Sequence, residues 1–345
     1  MFDLTDLRIP IVGAPMAGGP STPELVMAVA SAGGLGFLAA GYRSVEATRC
    51  EIGAVRAGSS APFGLNIFVP AQALTERSAL DAYRARLQPL AGRRGVTLPD
   101  IVDYDDDAFE AKLDLAVELA VPVVSFTFGL APPRAIERLH AAGGAVVATV
   151  SDVDEASRAA ELGVDAVCLQ GFEAGAHRAT FDVEKEPEPG STRELVEAAR
   201  EIIDVPLIAA GGIATGYDAA AALRVGATAV QIGTALLDAD EAGTKAAHRA
   251  ALHDERFTDT VVTRAFSGRP ARGLLNDFIR DFDADAVSAY PQVHLLTSVL
   301  RAAADADGDP EGLALWAGLG FRLARAAPAA EIVRDLWSEC ERSLS

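Results

Sequence analysis

What most constrains this chain is a series of eight short apolar runs, each followed by a helix-forming stretch: "IPIVGAP", "LGFLAA", "FGLNIF", "VPVVSFTFG", "GAVVATV", "VDAVCLQG", "VPLIAAGGI" and "TAVQIGTAL". A run that is apolar on both faces suits a parallel strand covered by helices, whereas a strand with one wet face alternates. Eight such runs predict an α/β fold, a (β/α)8 TIM barrel. The intervening stretches carry helix punctuation. In "STPELVMAVASAGG", Ser21 or Thr22 serves as the cap, Pro23 and Glu24 fill the first turn, and Gly33 and Gly34 end the helix. "SDVDEASRAAELGVD" and "TGYDAAAALRVGA" repeat that design.

Two intervals, Pro70 to Asp107 and Gly171 to Gly190, are too long for one strand-to-helix connection, and a barrel places lids and binding loops in such extra length. The chain after the eighth run is also longer than closing helices require. It is read as a barrel over 1–238 with an insertion at 71–107, a smaller, mainly helical cap domain over 239–311, and C-terminal helices over 312–345 that return to the barrel.

Composition narrows the partners. Half of the 345 residues are hydrophobic, enough for a large core, and 30 Lys and Arg against 49 Asp and Glu leave a net charge of −19. That sign is wrong for tracking nucleic-acid phosphates or an anionic membrane, so a small-molecule ligand is expected. The start "MFDLTDLRIPIV" has neither a basic leader nor a long apolar core, which points to a cytoplasmic protein; a monomer or homodimer is expected. Cys50, Cys168 and Cys340 show no C-x-x-C spacing, so neither a disulfide framework nor a metal site is expected.

Two glycine turns carry the first chemical signal. Gly211 and Gly212 follow the seventh run, and Gly233 and Thr234 the eighth, each just ahead of a helix. Glycines let a phosphate approach backbone N–H groups, helix N-termini add partial positive charge, and barrels commonly bind phosphate after strands seven and eight. At the ends of the first and third runs, Ala14, Pro15, Met16 and Asn66 suit a flavin ring: a fixed backbone, a polarizable surface, and an amide that both donates and accepts. In "QGFEAGAHRAT", Gln170 is placed to reach the ring edge, Gly175 lets the loop pass close to a ligand, and His177 faces the pocket. A surface ion pair is the default for Glu173 and Arg178.

These motifs, with "VVSFTFG", "TRAFSGRPARGL" and "LWAGLG" in the same order along nearly the whole chain, resemble the nitronate monooxygenase family, formerly the 2-nitropropane dioxygenases. The resemblance implies a flavin-bearing barrel with noncovalent FMN, which oxidises alkyl nitronates such as propionate 3-nitronate with O2 to a carbonyl compound and nitrite. It implies FMN contacts from Ala14, Pro15, Met16, Asn66, Gln170, Gly175 and Gly212, and from Gln231, Ile232, Gly233 and Thr234, with His177 as the catalytic histidine. Thr127, Arg178, Tyr290 and His294 are candidate substrate contacts. Thr127 stands where some members carry a second histidine. His294 and Ser298 stand where one bacterial class carries a tyrosine and a lysine. Tyr290 and His294 also read as neighbours on one helix face. Because a nitronate is an anion, helix N-termini and a protonated His177 are the candidates to draw it in, with Arg178 a weaker one. For a neutral nitroalkane His177 would instead be the general base that removes the α-proton. An FMN-dependent NAD(P)H:quinone or enoyl-thioester reductase is the alternative on this barrel, and a non-enzymatic FMN- or phosphometabolite-binding barrel a further one.

Overall fold

The computed structural model describes residues 2–71 and 77–345; residues 72–76 of the expected insertion lie outside the described residues. The eight apolar runs become the strands of one closed parallel barrel. They are β1 (Ile11–Gly13), β2 (Leu35–Ala39), β3 (Gly64–Phe68), β4 (Val123–Thr127), β5 (Ala145–Val150), β6 (Ala166–Gln170), β8 (Leu207–Ala210) and β9 (Ala229–Ile232). β9 pairs with β1 to close the ring. Between β6 and β8 lies β7, only Ala176–His177. It pairs with β11 (Ala271–Leu274), which in turn pairs with β10 (Thr260–Thr263), all outside the barrel.

The helix signals are realised in their local chemistry. Thr22 caps Pro23–Ala32 through Leu25 N–H, Asp152 caps Val153–Glu161 through Glu155 N–H, and Thr215 forms a reciprocal box with Asp218. Gly33 ends the first of these helices at φ 105°, a left-handed conformation that disfavours a Cβ.

Packing then leaves one end of the barrel for a site. Val12, Phe37, Val123, Val147, Cys168 and Ile208 fill its interior, with Leu4 packed among them. A second layer between strands and helices takes in Ile332, Val333, Leu336 and Cys340 of the last helix, Ala329–Leu344. A separate apolar core joins Leu80, Tyr83 and Leu87, from the helix Ser78–Arg93, to Phe266, Phe278, Val293 and Leu296. The Tyr83 hydroxyl donates to Ala265 O at 2.6 Å, so this helix is tied to the segment beyond the barrel. With the interior filled by side chains, ligand space is left to the loops at the strands' carboxyl ends.

Candidate active site

A cleft opens at those carboxyl ends. From the β1 side Ala14, Pro15 and Met16 line it; Asn66 and Thr127 reach it from β3 and β4; Gln170, Gly175 and His177 from β6 and the loop beyond; Gly211, Gly212, Gln231, Gly233 and Thr234 from β8, β9 and their turns; and His294 from the helix Gln292–Ala306. The barrel thus brings together positions more than 200 residues apart in sequence.

The glycine turns form a cradle of backbone donors. Gly211 and Gly212 take φ of 108° and 71°, and a Cβ on Gly211 would lie 2.9 Å from Ala174 N. Among the described residues, the N–H groups of Gly212, Ile213 and Gly233 have no protein acceptor. The helix ends contribute less than expected. Asp218 already accepts from Ala214 and Thr215 N–H, and Glu339 accepts from Gly216 N–H at 2.5 Å, so the start of Gly216–Arg224 is capped by carboxylates. After β9 comes a single 3-10 turn, Thr234–Leu236. A phosphate would therefore meet glycine N–H groups rather than a helix dipole. Ile232 is a correction of a different kind. Its side chain is buried in the core and its carbonyl accepts from Ala14 N–H at 2.9 Å, so it braces the cleft without lining it.

At the other end the side chains serve one another. Asn66 spends its amide N–H groups on Ser125 Oγ and Thr127 Oγ1, both at 2.9 Å. Gln170 donates to His177 O and accepts from Ala179 N–H, also both at 2.9 Å, so it pins β7 as well as lining the cleft. Gly175 is required by close approach: a Cβ there would sit 2.5 Å from Gly318 N in the "LWAGLG" segment.

Arg178 and Glu173 do not form the expected surface ion pair. Arg178 is 1% exposed, does not line the cleft, and donates from Nη1 to Gly171 O at 2.7 Å and from Nη2 to Gln170 O at 2.8 Å. It closes the carbonyl end of β6 from within, where an uncapped strand end would leave buried acceptors unpaired. Glu173 accepts from Thr192 N–H and Oγ1, bracing the same loop.

His177 sits on β7 with its ring 5.7 Å from those of Phe128 and Tyr290 and 5.5 Å from Trp316. Its Nε2 lies 2.9 Å from Ser267 Oγ, and that hydroxyl donates to Arg269 O at 3.1 Å. The serine oxygen also accepts from Arg269 N–H at 3.3 Å, so Ser267 holds Nε2, and Nδ1 has no partner among the described residues. Burial, then Arg269 and Arg301, push the His177 pKa down to about 3, so the imidazole is neutral at physiological pH. That depression runs against the expectation of a protonated His177 drawing in an anion.

Several site residues escape local inspection. The Tyr42 ring stacks on His294 at 3.9 Å, and its hydroxyl lies 3.0 Å from that of Tyr290. Tyr290 is buried behind this pair and does not line the cleft. It precedes the helix Gln292–Ala306, so it shares no helix face with His294. Trp316, Ser267 and Arg301 line the cleft as well. Of these, only "LWAGLG" and "AFSGRPARG" carried a sequence signal. Ser298 bonds back to Leu295 O at 2.6 Å within its own helix and is spent there.

Comparison with known proteins agrees on one family. The family model for nitronate monooxygenase matches residues 3–339. A protein named "probable nitronate monooxygenase" from Staphylococcus aureus is 37% identical over 97% of this chain and 95% of its own. Among solved structures, nitroalkane oxidase from Streptomyces ansochromogenes is 43% identical, with a TM-score of 0.94 over 99% of this chain and 98% of that one. FabK from Thermotoga maritima is 28% identical, with a TM-score of 0.76 over 99% and 96% of the two chains.

Proposed function

The chain belongs to the nitronate monooxygenase family, and on that premise we propose that it oxidises alkyl nitronates such as propionate 3-nitronate with O2 to a carbonyl compound and nitrite, using noncovalent FMN. One observation carries the reading. A neutral histidine, fixed by Ser267 with Nδ1 free, stands in an aromatic-walled cleft that also holds a cradle of unpaired glycine N–H groups.

The cradle fits a phosphate because a Cβ at Gly211 would collide with backbone and because the N–H groups of Gly212, Ile213 and Gly233 lack acceptors among the described residues. In this reading Gly211, Gly212, Gly233 and Thr234 hold the FMN phosphate, and Ala14, Pro15, Met16, Asn66, Gln170, Gly175 and Gln231 border the ring. Bound flavin supplies the redox chemistry, taking electrons from substrate and passing them to O2.

What the chain's own residues do follows from their states. With its pKa held near 3, His177 is a weak base toward a neutral nitroalkane, and the site suits a substrate whose α-proton has already left. Its Nδ1 accepts a proton only once an anion in the cleft offsets Arg269 and Arg301. Phe68, Phe128 and Trp316 keep the cleft wall apolar, which strengthens polar contacts within it. Residues 239–311, with the helix Ser78–Arg93 packed on them, form the cap in this reading, over a barrel spanning 1–238.

The protein should purify yellow, release FMN on denaturation, and form nitrite from an alkyl nitronate without NAD(P)H. A colourless protein that cannot be reconstituted with FMN overturns the reading. Strict dependence on NAD(P)H favours the reductase alternative instead. No helix among the described residues is long and apolar enough to cross a membrane.

A further inference from the structure

We propose that Arg301 and His294 form the subsite that takes the planar oxyanion of the substrate, on the cap side of the cleft; this rests on the nitronate reading above. Both residues line the cleft, and both come from the helix Gln292–Ala306.

The hydrogen bonds determine which donors remain free. Arg301 gives Nη2 to His294 O at 2.8 Å and to His294 Nδ1 at 3.3 Å, and Nε to Thr297 Oγ1 at 3.3 Å. A guanidinium only donates, so His294 Nδ1 is the acceptor and the His294 proton resides on Nε2. Burial, then Arg301 and His177, hold the His294 pKa well below its ordinary value, which keeps that ring neutral. Stacking on Tyr42 at 3.9 Å and 7° fixes the ring plane. Among the described residues, neither Arg301 Nη1 nor His294 Nε2 has a hydrogen-bond partner.

Charge points the same way. No carboxylate pairs with Arg301 among the described residues, whereas Lys245, the other basic side chain on the cleft wall, is bound to Asp305 at 3.0 Å. Arg269 is fully buried under Phe128 and Tyr290 and does not line the cleft. An enclosed cation without a counter-ion is costly, and an incoming anion relieves that cost. In a protein of net charge −19 this is the local feature that selects an anionic substrate over a neutral one. Two free donors from neighbouring side chains, whose contact through Arg301 Nη2 and His294 Nδ1 holds them together, suit an anion with two oxygens.

Nitrate, a planar monovalent oxyanion, is the probe. Its binding to the protein as purified is measured by calorimetry for the wild type, R301M and R301Q, beside KM and kcat for a nitronate and for the corresponding neutral nitroalkane. Losing one charged donor should weaken nitrate binding and raise the nitronate KM by about 10- to 100-fold, with kcat and the nitroalkane KM changing by only a few-fold. R301Q keeps a polar amide at the level of Arg301 Nε, beside Thr297 Oγ1, so it carries the test if R301M does not fold. Unchanged nitrate affinity and nitronate KM in a folded variant overturn the proposal, as does a fall in kcat with both constants unchanged. If the wild type forms no nitrite but loses nitrate binding on substitution, the oxyanion subsite stands and the nitronate reading falls.

Discussion

Replacing Arg178 by methionine separates a structural arginine from a substrate-binding one. In the folded protein the guanidinium donates to Gly171 O and Gln170 O at 2.7 and 2.8 Å, and the side chain is 1% exposed. Charged hydrogen bonds contribute about 1.5–3 kcal/mol each, so the gross loss is roughly 3–6 kcal/mol. Removing a buried cation returns part of its desolvation penalty, and methionine refills most of the volume, leaving a net destabilisation of about 2–4 kcal/mol. For a chain larger than 250 residues, each kcal/mol moves Tm by about 1–2 °C, so a fall of roughly 3–6 °C is expected. Thermal unfolding followed by circular dichroism reads the shift, and steady-state kinetics on a nitronate read the site. Because Arg178 anchors the end of β6 beside the Gln170–His177 hydrogen bond, kcat should fall by a few-fold while KM holds. An unchanged Tm with KM raised tenfold or more would refute this reasoning and return Arg178 to the substrate.

Further outcomes follow from the same groups. The His177 and His248 pKa values are pushed down to about 3 and about 4, both below the unfolded value near 6.5. The unfolded chain therefore binds protons that the folded one does not, so this stability is fully present above about pH 6.5 and lost as pH falls from there toward 4 for His248 and toward 3 for His177. Tm should drop between pH 7 and 5, whereas kcat/KM should show no limb from free-enzyme His177 over that range; a limb near 6.5 would contradict its burial. Gly211→Ala places a Cβ 2.9 Å from Ala174 N at φ 108°, and FMN affinity by fluorescence titration should fall at least tenfold. Affinity equal to wild type would remove this turn from the phosphate site. Ser267→Ala frees Nε2 of His177 and should lower kcat by about tenfold with the flavin spectrum retained. An unaltered kcat would show that the tautomer does not depend on Ser267.

The barrel was legible because its strands are apolar on both faces and several of the intervening helices carry their own caps, so strand order follows chain order except where β7 intervenes. The paired glycine turns were legible because the same pattern recurs one unit apart. The rest depended on contacts that no local window contains. Tyr42 meets Tyr290 across 248 positions, and His177 meets Ser267 across 90. A two-residue strand such as β7 has no periodicity, and its pairing with β11 is what turns His177 toward Ser267. Arg178 was misread because arginine is seldom fully buried, and nothing local shows that two strand-end carbonyls need it. Arg301 carries no local signal in the sequence, and only the fold shows that it lines the cleft with no carboxylate paired to it among the described residues.

The central claim is that this cleft oxidises nitronates through a site built around His177. Its most direct measurement is nitrite released from propionate 3-nitronate in air, without NAD(P)H, by the wild type and by His177→Asn carrying the same flavin spectrum. The account predicts steady release by the wild type and a loss of about 100-fold or more in kcat/KM for the variant. Nitrite formed at equal rates by both, or by neither, would contradict it.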